Sequence, residues 1–317
     1  MGSFEPRVFA ADHHEVPLPE KHRFPMSKYR LLRERLVERG VLTAEQVVRA
    51  PQADLEALLR VHDADYVRDF LSGNLDRQRV KRIGFPWSEA LVARTLASAG
   101  GTLAAAAHAL EHGFAGVLAG GTHHAYRDFG SGYCVFNDLA IAARWLLEVK
   151  GVSRVLIVDL DVHQGDGTAA LFADEPRVFT LSLHGARNFP ARKQVSDLDV
   201  ALPDETGDTA YAIALRDALA VAFERSDPEF VLYQAGVDPL EADRLGRLSL
   251  TLEGLADRDA QVFSAVRRRR LPVVVTLGGG YADPIEPTLA AHEGTYRTAN
   301  EVFGAEPESH PLHCEVG

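Results

Sequence analysis

Between residues 158 and 167 the chain reads VDLDVHQGDG, gathering Asp159, Asp161, His163 and Asp166 directly behind an apolar run. Burying one unpaired carboxylate is costly, and several side by side repel one another. In an extended strand alternate side chains share a face. Val155, Ile157, Asp159, Asp161 and His163 therefore fall on one side, and Leu156, Val158, Leu160 and Val162 on the other. The second side is apolar to its end, while the first turns to acid and imidazole. No Lys or Arg lies between 155 and 176 to pair with these groups. A metal cation is the missing charge, and Asp-x-His offers one oxygen and one nitrogen, donors suited to zinc. Alone, the motif is also compatible with a solvated loop.

Three further stretches end an apolar run in polar residues. GVLAGGTHHAY (116–126) sets His123 and His124 behind a glycine turn, FVLYQAGVDPLEADRLG (230–246) sets Asp238 past a strand, and PVVVTLGGGY (272–281) sets Tyr281 after three glycines. Singly, each has a plain structural account: a surface histidine pair, a cap, a turn. GGGY also lacks the Lys-Ser/Thr of a phosphate-binding loop. On a parallel sheet all four ends meet on one rim, where open α/β sheets bind ligands. Asp161, His163 and Asp238 then form a three-ligand set with one position open, the catalytic arrangement for zinc. Such an ion lowers the pKa of its water to about 7 and polarises a carbonyl. Two nearby imidazoles can move the water's proton to a leaving amine. Asp159 and Asp166 can each fix and charge-stabilise one imidazole, and Tyr281 can donate to the developing oxyanion. The sum is amide hydrolysis by metal-activated water.

The elements that must position these residues follow from the pattern. RVFA (7–10), GVLA (116–119) and segments 154–162, 177–183, 230–236 and 271–280 read as strands, several apolar on both faces as in parallel sheets covered by helices. Helical patterns fill 27–39, 88–112, 137–149, 209–225 and 251–269. The alternation predicts a three-layer α/β/α sandwich around a mostly parallel sheet. No linker or repeat divides it, so residues 1–303 are expected to form one domain, with 304–317 as a loose tail. That tail carries His310, His313 and Cys314, which are discounted as a metal site.

Composition narrows the function. Of 317 residues, 46% are hydrophobic and 25% charged, with net charge −11 and pI near 5.6. This excludes the basic footprint of a nucleic-acid binder; an acidic surface tolerates basic partners such as lysine-rich tails, and solubility accounts for it equally well. RRRR at 267–270 falls where a helix should end, where the helix dipole favours cations. Two cysteines, Cys134 and Cys314, give no disulfide framework and fit a reducing compartment. Without a signal-peptide pattern or an apolar run of spanning length, a cytoplasmic protein with no membrane span is expected.

These motifs, with GSGYCVFND (130–138) and SLH (182–184), resemble those of the zinc-dependent histone deacetylase family of the arginase/deacetylase fold. They follow the family's order over roughly residues 115–285, with weaker similarity at 18–36, and look closest to the class IV branch and bacterial relatives. The resemblance implies zinc on Asp161, His163 and Asp238, and the pairs His123–Asp159 and His124–Asp166. It makes His124 the general base and acid, His123 mainly electrostatic, and Tyr281 the group that polarises the carbonyl. Gly132 and Tyr133 would form one tunnel wall and Phe189-Pro190 the other, clamping an aliphatic lysine stem. A potassium ion would fall on Asp159, Asp161, His163, Ser182 and the Leu183 carbonyl.

The implied substrate is an acylated lysine in a protein or peptide, or a small acyl-amine such as an acetylpolyamine. Two departures bear on this choice. Tyr133 replaces the usual Phe, and Leu245 stands where polyamine deacetylases carry a glutamate. An arginase-type pair of manganese ions would need D-x-H-x-D and D-x-D, but position 165 is Gly and Asp238 is followed by Pro239-Leu240. A non-catalytic acyl-lysine binding module would usually have lost a ligand or the tyrosine, and every element is present here.

Overall fold

The structure, a computed structural model, describes residue 4 and residues 6–305. Eight strands form one sheet: β1 (Arg7–Ala10), β2 (Val47–Arg49), β3 (Phe114–Leu118), β4 (Val155–Asp159), β5 (Val178–Gly185), β6 (Leu198–Leu202), β7 (Phe230–Gln234) and β8 (Val273–Thr276). Their order is β2-β1-β3-β8-β7-β4-β5-β6, and every neighbouring pair is parallel. The helices are α1 (Lys28–Glu38), α2 (Leu55–Leu59), α3 (Ala64–Leu71), α4 (Arg77–Ile83), α5 (Glu89–His112), α6 (Asp138–Glu148), α7 (Asp166–Phe172), α8 (Asp208–Ser226), α9 (Leu252–Arg269) and α10 (Glu286–Gly304).

Two apolar cores flank the sheet, and β4 shows why. Val155 and Ile157 join the core under α5 and α6, while Leu156 and Val158 join the one under α8 and α9. Both faces of the strand are thus covered, as parallel sheets require. This is the expected three-layer α/β/α sandwich.

Several boundaries differ from expectation. β4 stops at Asp159 instead of 162: the Leu160 N–H still reaches the Gln234 carbonyl, and the chain then turns across the strand end. β8 likewise stops at Thr276, before the glycines. Strands β2 and β6 lie at the two sheet edges, one only three residues long and the other alternating exposed with partly buried positions. Helix α10 was not evident in a stretch rich in small and polar residues, EPTLAAHEGTYRTANEVFG. It runs to Gly304, and His310, His313 and Cys314 lie outside the described residues.

Helix α5 corrects the expectation of no apolar stretch of spanning length, since by length and composition it could cross a membrane. It is instead a core helix: it is capped by the Ser88 side chain and by left-handed Gly113, and buries Leu91, Ala97, Ala105, Ala106 and Ala109. The arginine run ends α9 as expected. Arg267 donates to the carbonyls of Val302 and Ala305, and the Arg269 guanidinium lies 4.3 Å from the centre of the Phe223 ring.

Candidate active site

The four motif-bearing loops meet at the C-terminal edge of the sheet. After β3, Gly120 and Gly121 take positive φ (78° and 74°) to turn the chain back to the histidines. Buried Asp138 pins that turn, accepting from Gly121 N (3.1 Å), Thr122 N (2.8 Å) and the Thr102 hydroxyl (2.6 Å). After β7, Asp243 clamps a second pair of loops. It accepts from Leu245 N (2.8 Å) and Gly246 N (3.0 Å) through Oδ1, and from Tyr281 N (2.6 Å) through Oδ2. Both carboxylates lie in motifs noted in the sequence, yet neither had an assigned role. Each satisfies backbone N–H groups that an irregular buried loop would otherwise orphan.

Asp161, His163 and Asp238 are buried, and a ligand atom from each lies within 4.8 Å of the other two. Asp161 is held by Gly279 N at 2.7 Å and His163 N at 3.0 Å. Asp238 Oδ1 accepts from Val162 N at 2.8 Å. Its Oδ2, 3.0 Å from His163 Nδ1, is buried and accepts no hydrogen bond among the described residues. Burial first, then the charge of Asp161, pushes Asp238 up to about 7. Asp161 goes the other way: burial is outweighed by His123 and His163, which hold it well below the usual carboxylate range. Two carboxylates and one imidazole, with an oxygen left unsatisfied, fit a divalent cation. The third element of the cradle is Gly279. A Cβ there would stand 1.9 Å from Asp238 Oδ2 and 2.8 Å from Asp161 Oδ2.

Beside this set stand two imidazole–carboxylate pairs. His123 Nδ1 is 2.7 Å from Asp159 Oδ2, and His124 Nδ1 is 2.6 Å from Asp166 Oδ1. The pairs are electrostatically unlike. Burial lowers His123, but Asp159 and Asp161 overcome it and raise the imidazole to about 9. Burial, reinforced by His123, lowers His124 to about 4 against the pull of Asp166. The Tyr126 hydroxyl donates to the second oxygen of Asp166 at 3.0 Å, a contact with no signal in the sequence.

The cavity above these groups has a volume of about 620 Å³, and its lining brings together His124, His163, Gly132, Tyr133, Phe189, Leu245 and Tyr281. Gly132 (φ 53°) lets the wall approach: a Cβ would stand 2.7 Å from the His124 ring and 3.3 Å from Phe189. Phe189 meets His124 edge-on, with centroids 4.9 Å apart. The Tyr133 ring packs against Phe24 and Phe85. Asn188 ties the Phe189 loop to the Leu245 carbonyl (2.8 Å), and Lys193 braces the same loop through the carbonyls of Asn188 and Pro190. Burial, then the negative charges of Asp161 and Asp238, pushes the Tyr281 phenol far up, so it stays a hydrogen-bond donor. Ser182 is the register partner of Asp159 across β4 and β5, and its hydroxyl lies 3.0 Å from His184 Nδ1. Leu183 follows it, buried on β5.

Two buried cations beneath the floor were not singled out in the sequence. Lys28 donates to the carbonyls of Gly278 (3.1 Å) and Gly280 (3.4 Å), behind the Tyr281 ring, and burial lowers it to about 8. Arg258 reaches from α9 to the carbonyls of Gly236 (2.5 Å) and Leu160 (3.5 Å), bridging the two strand ends that carry Asp238 and Asp161. A buried arginine on an amphipathic helix looks like any surface cation until the helix is docked.

Sheet and site together define a protein of the arginase/deacetylase fold. The comparisons narrow this class. Residues 22–293 match the histone deacetylase domain. The chain is 46% identical over 298 residues to an uncharacterized protein of Picosynechococcus sp., covering 94% of this chain and 99% of that one. It is 32% identical to histone deacetylase 2 of Arabidopsis thaliana over 82% of this chain and 70% of that one, and 30% identical to a probable deacetylase of Archaeoglobus fulgidus (78% and 73%). A solved structure of an HDAC homolog complexed with SAHA superposes with a TM-score of 0.80 at 26% identity, covering 95% of this chain and 84% of that chain. The chain belongs to the histone deacetylase family and is a deacetylase-type hydrolase.

Proposed function

We propose that this hydrolase removes an acyl group, acetyl or longer, from the ε-amine of lysine with the aid of one zinc ion. The observation that carries the reading is the convergence of Asp161, His163 and Asp238, one with an unsatisfied buried oxygen, beside two carboxylate-held imidazoles. Zinc held by these three side chains would supply an acidified water and a Lewis acid for the amide carbonyl. His124 is the neutral imidazole at pH 7. With its Nδ1–H given to Asp166, Nε2 is the nitrogen that takes the water's proton and returns it to the leaving amine. His123 stays protonated and stabilises developing negative charge without moving a proton. The Tyr281 hydroxyl donates to the carbonyl oxygen. Phe189, Gly132, Tyr133 and Leu245 surround the aliphatic stem and keep water from it.

A monovalent cation, potassium by the family resemblance, would sit on Asp159, Asp161, His163, Ser182 and the Leu183 carbonyl. The pairing of Ser182 with Asp159 supports this part of the reading. A cytoplasmic, reducing setting is proposed with it, in keeping with the buried free thiol of Cys134. The test is hydrolysis of a fluorogenic acyl-lysine amide by zinc-loaded protein, with and without chelator and across acyl lengths. Turnover that the chelator abolishes is expected. Zinc-loaded protein that cleaves no acyl length would overturn the reading.

A further inference from the structure

Three arginines stand at the mouth of the cavity, and among the described residues no carboxylate lines it: the charged groups above the catalytic floor are Arg82, Arg187 and Arg247. Arg187 and Arg247 are 72% and 54% exposed and share a single oxygen of Asp204, at 2.5 and 3.2 Å. Two guanidiniums on one carboxylate leave unspent positive charge facing the opening. Glu205 adds a more distant attraction to Arg187 but, like Asp204, is outside the lining. The Arg82 guanidinium carbon lies over the Phe129 ring, 4.5 Å from its centre, and the residue has no ion-pair partner among the described residues. It lies in the last turn of α4, whose sequence RQRVKRI holds four cations and no acid, with Asp76 capping the far end. This positive ring is set into a chain of net charge −11, so it runs against the background.

We propose that the mouth selects acyl-lysines flanked by acidic residues, with the guanidiniums of Arg82, Arg187 and Arg247 receiving the flanking carboxylates of a peptide substrate. Planar guanidinium forks match carboxylates in geometry as well as charge. The uncharged walls at Tyr133, Phe189 and Leu245 take the acylated stem, so the charge preference is exerted outside the cavity, on the amine-bearing scaffold. A cationic scaffold such as a polyamine is repelled by the same groups. The identity of the stem rests on the deacylase reading; the sign of the charge preference does not.

The test uses zinc-loaded full chain and two labelled acetyl-lysine peptides of equal length, one with glutamates and one with lysines on both sides, followed by fluorescence anisotropy. At low ionic strength the acidic peptide should bind about tenfold tighter, as a few exposed ion pairs allow. The difference should fall to about twofold near 1 M salt, where charges are screened beyond ~3 Å. Arg82→Glu combined with Arg247→Glu should erase or invert it, and Arg82→Gln alone should reduce it about threefold. Equal binding, binding of neither peptide, or a preference that survives both salt and substitution would overturn the proposal. Hydrolysis of an uncharged acetyl-lysine amide, run in parallel, separates the two readings. Absence of turnover with the charge preference intact removes the deacylase and leaves this inference; turnover without the preference does the reverse.

Discussion

The floor of the cavity and its mouth are built by opposite rules. On the floor the charged groups are buried and each is held in place: Asp161 by two backbone N–H groups, Asp238 by one, each imidazole by a carboxylate. At the mouth the charges are exposed, share partners or have none. A buried, unpaired charge is costly, so one change on the floor must propagate to the cation site. An exposed charge is screened and replaceable, so one change at the mouth only shifts a preference. Chemistry and specificity are thereby separated in space.

The largest effect should come from the cation site itself. Asp238→Ala removes the carboxylate whose second oxygen has no donor and should cost more than about 100-fold in zinc affinity, above the usual cost of losing a group that only supports a ligand. Elemental analysis after dialysis checks this, and full zinc occupancy would show that Asp238 is not a ligand. Gly279→Ala sharpens the point without deleting a donor. Its methyl would enter the space of Asp238 Oδ2, so metal should be lost from a folded protein whose circular dichroism is unchanged.

The two imidazole pairs come next. His124→Ala should slow kcat by about 10²–10⁴, the range for a general acid–base, and the steady-state rate at saturating substrate reads this directly. The pH profile then breaks or sustains the contrast between the pairs. A base loses activity as pH falls through its pKa, and His124 is held down to about 4 by burial and then by the charge of His123. The acidic limb of kcat/KM should therefore lie below the ordinary imidazole value of about 6.5. In His123→Gln the second cause is gone, His124 becomes more basic, and the limb should move to higher pH. A limb that stays put or moves down would mean His123 is not the charge that depresses its neighbour.

Tyr281→Phe removes one donor to the oxyanion and should lower kcat about 10²–10³-fold, with zinc content intact. The ring contacts to Phe24 and Tyr133 survive in phenylalanine, so stability should change little. Equal rates for the two proteins would strip Tyr281 of its role.

The same division explains what was readable in the sequence. The floor was legible because each of its residues sits a few positions past an apolar run, and the two-residue period of a strand sorts acids from apolar neighbours. Faces assigned along 155–158 match the two cores. What lies beyond the strand period was not readable: Asp138 and Asp243 serve backbone groups of loops, and Arg258 and Lys28 act on carbonyls far away in the chain. The mouth left no trace, since Arg82, Arg187 and Arg247 come from three distant segments and meet only after folding. Net charge is a sum that carries no positions, so it could not reveal the mouth either. Edge strands β2 and β6 escaped because short or half-exposed strands lack the continuous apolar run of buried ones.

The smallest expected effect tests the mouth from inside the wall. Leu245 is fixed by Asn188 at its carbonyl and by Asp243 at its N–H, so the backbone there does not depend on its side chain. Leu245→Glu would place a carboxylate in the lining, in the same cavity as the arginines. One exposed ion pair is worth about 0.2–1 kcal/mol, so the new acid should raise kcat/KM for a cationic acetylpolyamine relative to a neutral acetyl-lysine amide by no more than about fivefold. The gain should be larger when Arg247→Gln removes a competing guanidinium, because the introduced carboxylate is then free to meet the substrate. If the single variant already switched preference by several hundredfold, the charge of the mouth would be set by Leu245's position alone, and the arginine ring would have no part in choosing the substrate.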